Sequence, residues 1–480
     1  MRNDKLIVIL IFTTILLNCC RAVFAEEALF QVPALIQISS DLSDGRYSPN
    51  EIVNIAAKTG FKIVIFTERD IMRWEYGIWP LRNVLKKVVE NNSLAKSKII
   101  NYLKKIDQLQ KLHPELVIIP GIETTPFYYW DGSILKGNLT LKDSHKHILV
   151  AGLNDYEDIK DMPVIGNLPA LSAGFNILKF WPLVFILAGV FLFIKTKIKR
   201  RYILFVIAVG IIFLINNFPF KNKLFDQYHG QQGILPYQNL IDYVKAKGGL
   251  IFWAHPEAEN KQKTRWVSIE TESHSNDLLK SKDYTGFAVL YSGYNIIGKP
   301  GGIWDEILWE YINLKREHPV WAIAGLAFDY QGNLEQRSRD LRNMVLLSEQ
   351  TPQGVLAALA KGKNYVTRGA QSDNFILKDF MVSDYKTSQS KRMGETLFLE
   401  GALPHVIISG GFTSGGAQEL NISLVKNKEI VKKFVVPAPF TVEYADGDFE
   451  KDAYYRVEIK AKDLHVITNP IFVKKMKIDN

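Results

Sequence analysis

The sequence predicts an α/β protein that is interrupted by two membrane-spanning helices and followed by an antiparallel β-sandwich. Short β-rich runs alternate with amphipathic helices, two long apolar segments stand mid-chain, and closely spaced short strands fill the C-terminal part. With 480 residues, 47% hydrophobic and 23% charged, the composition is globular but the chain exceeds one ordinary core. We expect a signal peptide (1–25), the first half of an α/β unit (26–172), a transmembrane hairpin (173–220), the second half of that unit (221–375) and a β-sandwich (376–480).

The amino terminus is typical of a secretory signal peptide. An apolar run (6–17) follows Arg2 and Lys5, and Val23 and Ala25 suit the small-residue positions of a cleavage site. An uncleaved anchor is the alternative, but the run is short for a bilayer span, which favours the signal peptide. Both interpretations place the following chain outside the cytoplasm. The only two cysteines lie in this segment, so the mature chain would have no thiol and no disulfide.

Two internal apolar segments, 180–194 and 202–218, predict a transmembrane hairpin. A buried helical hairpin in a soluble core is the alternative, but the segments have no polar face to present to water. Five cations in the short connection indicate a cytoplasmic loop, and both soluble flanks are then extracytoplasmic: Lys195, Lys197, Lys199, Arg200 and Arg201.

The net charge of +9 fits this membrane association. Several cations belong to the hairpin loop or flank the apolar segments, where they suit anionic lipid headgroups. No basic groove with interleaved aromatic residues is visible, so we expect no nucleic-acid partner.

The soluble parts consist of strands that feed helices. Ser48, the following proline, Glu51 and Gly60 predict a helix with a capping box and a closing glycine. A long helical region is expected over 79–112. Other expected elements are strands at 34–39, 62–67, 115–123, 147–153, 250–255, 286–292 and 320–328 and helices at 237–249 and 303–316. This rhythm implies parallel strands, with chemistry at their carboxyl ends.

Several of these strand ends carry motifs that resemble those of the PHP (polymerase and histidinol phosphatase) superfamily, its secreted and membrane-associated members in particular. "PGIE" supplies Glu123, "HILVAGL" supplies His147 and "AHP" supplies His255. The segments "SDGRYSPNEIVNIAAKTG" and "LAALAKGKNYVTRGA" extend the resemblance, which covers 35 to about 370. It implies a distorted (β/α)7 barrel, here interrupted by the membrane hairpin.

The sequence departs from the family at most of the metal ligands. The family pattern has HxH, then DH, then DxH, and the residues at those positions here are Gln37 and Ser39, Glu68 and Arg69, and Ala327 and Asp329. A full three-metal cluster is therefore not expected, because amides and hydroxyls replace imidazole poorly and a guanidinium only donates.

The resemblance implies that Glu123, His147 and His255 are the ligands of one metal of the cluster. Two histidines and one carboxylate with an open position are the usual ligands of catalytic zinc. We therefore expect one divalent ion, Zn or Mn, or no ion at all if the site is a relic. With an ion, the protein would hydrolyse a phosphate ester or a similar anionic bond.

Three other residues are candidates for the catalytic chemistry. Glu68 and Asp329 would act as general base or as extra ligands, and Arg69 would clamp an anionic group of a small substrate or ligand. His145 is expected on the face of a strand opposite to His147. The aromatic residues at 128–130 wall a pocket or pack in the core.

The alternative function is a catalytically inactive PHP-like module that binds a ligand. Lost metal ligands are what a retired enzyme would show, and buried histidines beside a glutamate can simply be hydrogen-bonded. Such a module would pass ligand occupancy to the membrane hairpin or to a protein partner. The β-sandwich (376–480) shows no catalytic constellation, and we expect it to cover the α/β unit.

Overall fold

The computed structural model describes residues 29–167, 170–291, 296–327, 332–387, 389–400 and 403–476. The predicted signal peptide (1–25) lies outside the described residues. The first unit contains nineteen of the described strands: β1 Phe30–Ile38, β2 Ile63–Phe66, β3 Glu68–Arg69, β4 Arg73–Gly77, β5 Lys86–Glu90, β6 Val117–Ile119, β7 Gly121–Thr124, β8 Tyr129–Asp131, β9 Thr140–Lys142, β10 Ile148–Ala151, β11 Ser172–Phe175, β12 Lys221–Lys223, β13 Leu250–Trp253, β14 Asn260–Lys263, β15 Ser268–Thr271, β16 Gly286–Leu290, β17 Trp321–Ala324, β18 Leu341–Leu347 and β19 Asn364–Arg368.

The described α-helices all lie before the C-terminal strands. They are α1 Pro49–Lys58, α2 Ala95–Leu112, α3 Tyr156–Lys160, α4 Pro182–Lys195, α5 Arg200–Asn217, α6 Leu235–Ala246, α7 Asp277–Lys280, α8 Ile303–Ile312, α9 Leu334–Arg339 and α10 Pro352–Ala360.

Two sheets enclose the apolar interior of the first unit. The first contains β19-β18-β1-β2-β6 and the second has the order β17-β16-β13-β10-β7-β3. Alternate side chains from both sheets, such as Ile36, Ile65, Leu149 and Ile323, form one buried cluster. The opposite faces of the strands pack against the helices in a larger cluster. The fold is therefore mixed α/β, with helices outside and an apolar layer between two sheets.

The strands are only partly parallel. The pairs β1–β2, β2–β6, β13–β16 and β16–β17 are parallel as predicted, but β10 is antiparallel to both β7 and β13. The connection from β7 to β10 contains β8, β9 and a short 3-10 helix but no crossover α-helix. A parallel neighbour needs such a crossover, so β10 runs in the opposite direction.

The described residues form open sheets, with no closed sheet among them. At β17 the edge is covered by asparagine side chains instead of another strand. The Ala322 N–H donates to Asn469 Oδ1 at 2.8 Å and the Ala324 N–H donates to Asn343 Oδ1 at 2.8 Å. The Asn364 Nδ2 donates to the Ala322 carbonyl at 2.9 Å. These buried amides satisfy the main chain where a barrel would have a continuous ladder.

The helix predicted between the cap Ser48 and the closing Gly60 is present as α1, and Gly60 follows its C-cap with a φ of +85°. The Ser48 hydroxyl accepts the Glu51 N–H, and the Glu51 carboxylate accepts the Ser48 N–H at 2.8 Å. The helix predicted at 79–112 is wrong for its first half, which contains β5 and the loop that connects it to its antiparallel partner β4. The β-branched pair Val88 and Val89 lies in β5, and only α2 is helical.

The predicted apolar hairpin consists of α4 and α5. Two stretches, Ile177–Lys195 and Arg200–Asn217, are long and apolar enough to cross a membrane, and only 11% of each apolar window is buried. The hairpin is therefore not a core element of the described fold. Gly189 and Gly210 lie between the two helices, where an added Cβ would meet Ile207 Cγ1 at 2.5 Å or Ile186 Cγ1 at 2.8 Å.

The C-terminal part forms two β-layers around a second core. Its strands are β20 Phe375–Asp384, β21 Ser390–Arg392, β22 Thr396–Leu399, β23 Pro404–Phe412, β24 Glu419–Lys426, β25 Glu429–Pro437, β26 Phe440–Ala445, β27 Ala453–Ala461, β28 Leu464–Thr468 and β29 Ile471–Lys475. One layer has the order β21-β20-β23-β26, and the other is continuous with the first unit because β28 pairs with β19.

Candidate metal centre

Glu123, His147 and His255 meet because of the antiparallel arrangement around β10. Glu123 lies near the end of β7, His147 directly precedes β10, and His255 follows β13 by two residues. The start of β10 lies beside the ends of both neighbours, since Ile148 pairs with Thr124 and with Trp253. The three side chains therefore reach one edge of the sheet from distant parts of the chain.

The ligand atoms of these three residues lie within 4.8 Å of one another. Glu123 Oε1 is 2.9 Å from His147 Nδ1 and 3.7 Å from His255 Nε2. The two ring nitrogens, His147 Nδ1 and His255 Nε2, are 3.1 Å apart. Two nitrogen ligands at about 2.0–2.1 Å from a tetrahedral zinc lie roughly 3.3 Å apart. One divalent ion therefore fits this donor set.

The electrostatics of the group favour the protonation states that a metal requires. Burial alone would raise the pKa of Glu123, but the Arg69 charge and hydrogen bonds from both histidines hold it well below its ordinary value. Burial, reinforced by the Arg69 charge, holds the pKa of His147 well below its ordinary value. An ionised carboxylate and a neutral imidazole are the forms that coordinate a cation.

Arg69 occupies a place beside the three ligands. Its NH1 is 2.9 Å from Glu123 Oε1, and its Nε is 3.0 Å from Asp44 Oδ2. Gln37 Nε2 also donates to Glu123 Oε1 at 3.3 Å. A guanidinium and an amide thus lie where the resemblance to PHP proteins implies histidine ligands. This composition suits one ion and leaves little room for a cluster.

Glu68, predicted as a general base or extra ligand, does not belong to the group formed by Glu123, His147 and His255. Its carboxylate accepts the Ser40 N–H at 2.9 Å and the Ser43 hydroxyl proton. Ser43 Oγ in turn accepts the Arg69 N–H at 3.2 Å. Glu68 is fully buried, and this burial raises its pKa to about 7. Its carboxylate therefore fixes the turn beneath Arg69 instead of facing the three ligands.

The remaining predicted residue, Asp329, lies outside the described residues, which resume at 332. Ala327, at the first position of the expected DxH pattern, is described and has a φ of +48°. Gln37 and His255 also have positive φ angles, of +65° and +26°. Left-handed non-glycine residues are uncommon and concentrate at functional sites. Three of the eleven such residues in the described part of the chain, Gln37, His255 and Ala327, lie at or just beyond the carboxyl ends of β1, β13 and β17.

A cavity of about 500 Å³ lies against the group. Glu123, Arg69 and His147 form part of its polar wall, together with Asp44 and His145. Its apolar walls include the following side chains: Ile71, Met72, Trp74, Val89, Tyr128, Trp130, Leu141, Ile165, Val267 and Ile269. Such a mixed wall suits a molecule with both an anionic and an apolar part.

Sequence reasoning missed two of these residues and left two others open. His145 was expected on the opposite face from His147, but β10 begins only at Ile148, so strand alternation does not apply. The His145 and His147 ring centroids are 5.3 Å apart, and both line the cavity. Asp44 lies in the segment that begins "SDG", and no neighbouring residue in the sequence indicates that its side chain contacts Arg69. Of the aromatic residues at 128–130, the first and third line the cavity.

No protein-family model matches the chain, and no curated protein matches it. Among solved structures, the chain is similar to a two-domain protein from Bacteroides vulgatus that contains a predicted PHP-like metal-dependent phosphoesterase. The identity is 11%, the match covers 93% of this chain and 95% of that chain, and the TM-score is 0.36. A proposed metal-dependent phosphoesterase from Bifidobacterium adolescentis matches at 16% identity over 63% of this chain and 89% of its own, with a TM-score of 0.29.

Both TM-scores are below 0.5, so the proposed function is based on the residues of the candidate metal centre.

Proposed function

We propose that the protein is a membrane-anchored, metal-dependent phosphoesterase with a single-ion site formed by Glu123, His147 and His255. The observation that carries the proposal is the convergence of these three ligand atoms within 4.8 Å of one another, with Glu123 and His147 at the wall of a cavity. We further propose that the two open sheets and the asparagine-covered edge of β17 correspond to the distorted (β/α)7 barrel of PHP proteins.

When bound, a divalent ion in this site would supply Lewis-acid polarisation and lower the pKa of water. The residues of the chain would bind and orient the substrate. Arg69 would donate hydrogen bonds to a phosphoryl oxygen, since a guanidinium matches such anions well. Asp44 holds the other edge of Arg69 through Nε. Glu68 is assigned a positioning role through Ser43, and Asp329 stays our candidate for the general base.

The anchoring part of the proposal is based on α4 and α5. Their apolar stretches are 19 and 18 residues long, close to the length that a bilayer core requires. The cation-rich connection at 195–201 would lie in the cytoplasm and both soluble parts outside it. The hairpin would then hold the candidate metal centre at the extracytoplasmic face of the membrane. Small anionic substrates would enter the site from that side.

A second candidate function is a metal-free module that binds a ligand. It is favoured by the direct pairing of Arg69 NH1 with Glu123 Oε1 at 2.9 Å, which gives the buried carboxylate a cationic partner without any ion. Such a module would bind an anionic ligand at Arg69 in the same cavity.

Metal analysis of the full-length protein in detergent separates these functions. We expect about one equivalent of zinc or manganese in the wild type and its loss in Glu123→Gln and His147→Ala. His229→Ala is the matched control, because the His229 side chain is 72% exposed and does not belong to the group. An intact wild-type protein that binds no divalent ion after incubation with zinc and manganese would contradict the metal site.

Turnover is then measured with a generic phosphomonoester and a generic phosphodiester. The phosphoesterase proposal expects hydrolysis that is lost on chelation and restored by the ion. Metal binding without hydrolysis of either ester would contradict the phosphoesterase activity and leave the single-ion site in place.

A further inference from the structure

The connection between β4 and β5 carries an unusual surface. We call residues 78–85 the hairpin tip. Ile78 is 46% exposed, Trp79 is 76% exposed, Val84 is 41% exposed and Leu85 is 52% exposed. Four large apolar side chains within eight residues form an exposed patch of the kind that marks a binding surface.

The hairpin tip is hydrogen-bonded to the end of α5. The Asn83 N–H donates to Asn216 Oδ1 at 2.9 Å, and Asn83 Nδ2 donates to the Asn216 carbonyl at 2.6 Å. Asn216 Nδ2 donates to the Pro80 carbonyl at 3.2 Å. Asn216 is the penultimate residue of α5. These three bonds fix the hairpin tip at the level where the apolar helix ends.

The residues that lead into α4 add further apolar surface beside the end of α5. Ile177 and Leu178, which precede α4, are 69% and 76% exposed, and Trp181 is 46% exposed. Lys179 donates to the Lys221 carbonyl and so ties the entry of α4 to the segment after α5. Tryptophan and lysine at the end of an apolar helix are typical of the interface between hydrocarbon and headgroups.

We propose that the hairpin tip inserts into the outer interface of the lipid bilayer as a third membrane contact beside α4 and α5. This inference rests on the membrane anchoring in the proposed function. The occupant is the bilayer, because the patch is continuous with the ends of the two apolar helices and is hydrogen-bonded to one of them. Its indole and aliphatic side chains suit the headgroup boundary, and the flanking Lys86 and Lys87 suit anionic headgroups.

The contact bears on the candidate site because β4 and β5 also wall its cavity. Arg73 and Trp74 in β4 and Val89 in β5 line the cavity. β4 has five residues, so the cavity wall lies within about 16 Å of the hairpin tip along the strand. Membrane contact at the tip would thus be transmitted to the wall of the cavity through one short hairpin.

Fluorophore labelling of the full-length protein in liposomes of phosphatidylcholine and phosphatidylglycerol tests the proposal. The two natural cysteines are replaced by serine, and an environment-sensitive nitrobenzoxadiazole label is attached to single variants Leu85→Cys or Ile78→Cys. Leu112→Cys is the control, because it is 70% exposed and ends α2, an 18-residue helix about 27 Å long. Phe191→Cys, in the middle of α4, reports the anchor.

We expect a blue-shifted emission at the hairpin tip and loss of intensity when spin-labelled lipid is included, with neither effect at Leu112→Cys. If the label at Phe191→Cys is quenched but the label at neither hairpin-tip position is quenched, the inference is overturned and the anchor is left intact. Absence of quenching at Phe191→Cys would instead contradict the membrane anchoring. Because two hairpin-tip positions are labelled, the test does not depend on the folding of one variant. The circular dichroism spectrum of each variant verifies its fold.

Discussion

Arg69 determines the electrostatic character of the candidate metal centre. Its guanidinium contacts Glu123 and Asp44, so one fixed cation is shared by two carboxylates. It keeps Glu123 ionised and opposes protonation of His147. A fixed cation beside the candidate metal ligands suits a doubly charged anion such as a phosphate ester.

Glu68 gives a pH-dependent prediction at the scale of one residue. Burial raises the pKa of Glu68 from its ordinary value of 4.5 to about 7 in the folded chain. Between these values the folded state binds a proton that the unfolded state releases, so this contribution to stability falls as pH rises from about 4.5 to about 7. Above this window the ionised carboxylate lowers the free energy of unfolding by roughly 3 kcal/mol.

We expect Glu68→Gln to melt a few degrees above the wild type at about pH 8 and to differ little from it at about pH 5. The apparent Tm in detergent measures this, and Glu419→Gln, at an exposed position, is the control. A difference between Glu68→Gln and the wild type that is equal at both pH values would show that the carboxyl does not titrate as proposed.

At the scale of elements, the packing of α4 against α5 depends on two glycines. A Cβ at Gly210 would lie 2.8 Å from Ile186 Cγ1 and 3.1 Å from the Pro182 carbonyl oxygen. Close approach at small residues is the usual mode of helix association in membranes. The sequence predicts the two helices from their apolarity, whereas the faces that touch depend on where the small residues fall.

We predict that Gly210→Leu separates the two helices and lowers the apparent Tm of the full chain in detergent by several degrees, measured by the helical circular dichroism signal. Ala208→Leu introduces the same side chain at an exposed position of α5 and serves as the matched control. Equal Tm values for these two variants would show that the glycine does not set the helix contact.

At the scale of the whole molecule, the β-sandwich and the first unit share buried interactions. Arg456 in β27 donates from Nε and NH2 to the Asp305 carboxylate in α8, each at 2.7 Å, and both side chains are fully buried. The sheet that contains β28 also continues into β19. The two parts therefore share a buried ion pair and one continuous sheet.

Removing one partner of this buried pair is expected to be strongly destabilising. Arg456→Leu leaves the Asp305 charge unpaired, and we expect it to lower the free energy of unfolding by about 3–5 kcal/mol. Arg456→Leu combined with Asp305→Leu is expected to recover most of this loss. Denaturant unfolding of the full chain measures both.

Lys428→Leu is the control for this comparison. It removes the half-buried pair of Lys428 with Glu306, at 3.0 Å, which joins the same two parts, and it should change stability by less than about 1 kcal/mol. A double variant as unstable as Arg456→Leu alone would contradict the assigned role of the buried pair.

The sequence by itself determined the features that depend on neighbours close along the chain. The capping box of α1 needs only Ser48 and Glu51, three residues apart. The apolar hairpin is visible because each helix is apolar along its whole length. The motifs also identified Glu123, His147 and His255, since family resemblance marks strand ends without requiring their spatial arrangement.

Only the tertiary structure decided how distant residues combine. Nothing local to Asp44 indicates that it pairs with Arg69, and nothing local to Glu68 turns its carboxylate toward Ser43 instead of the three ligands. His147 and His255 are 108 residues apart in sequence and meet only because β10 is antiparallel to both neighbours. Local patterns specify helices and strands through hydrogen bonds a few residues apart, whereas the direction of strand pairing and the partners of buried charges are set by packing of the whole chain.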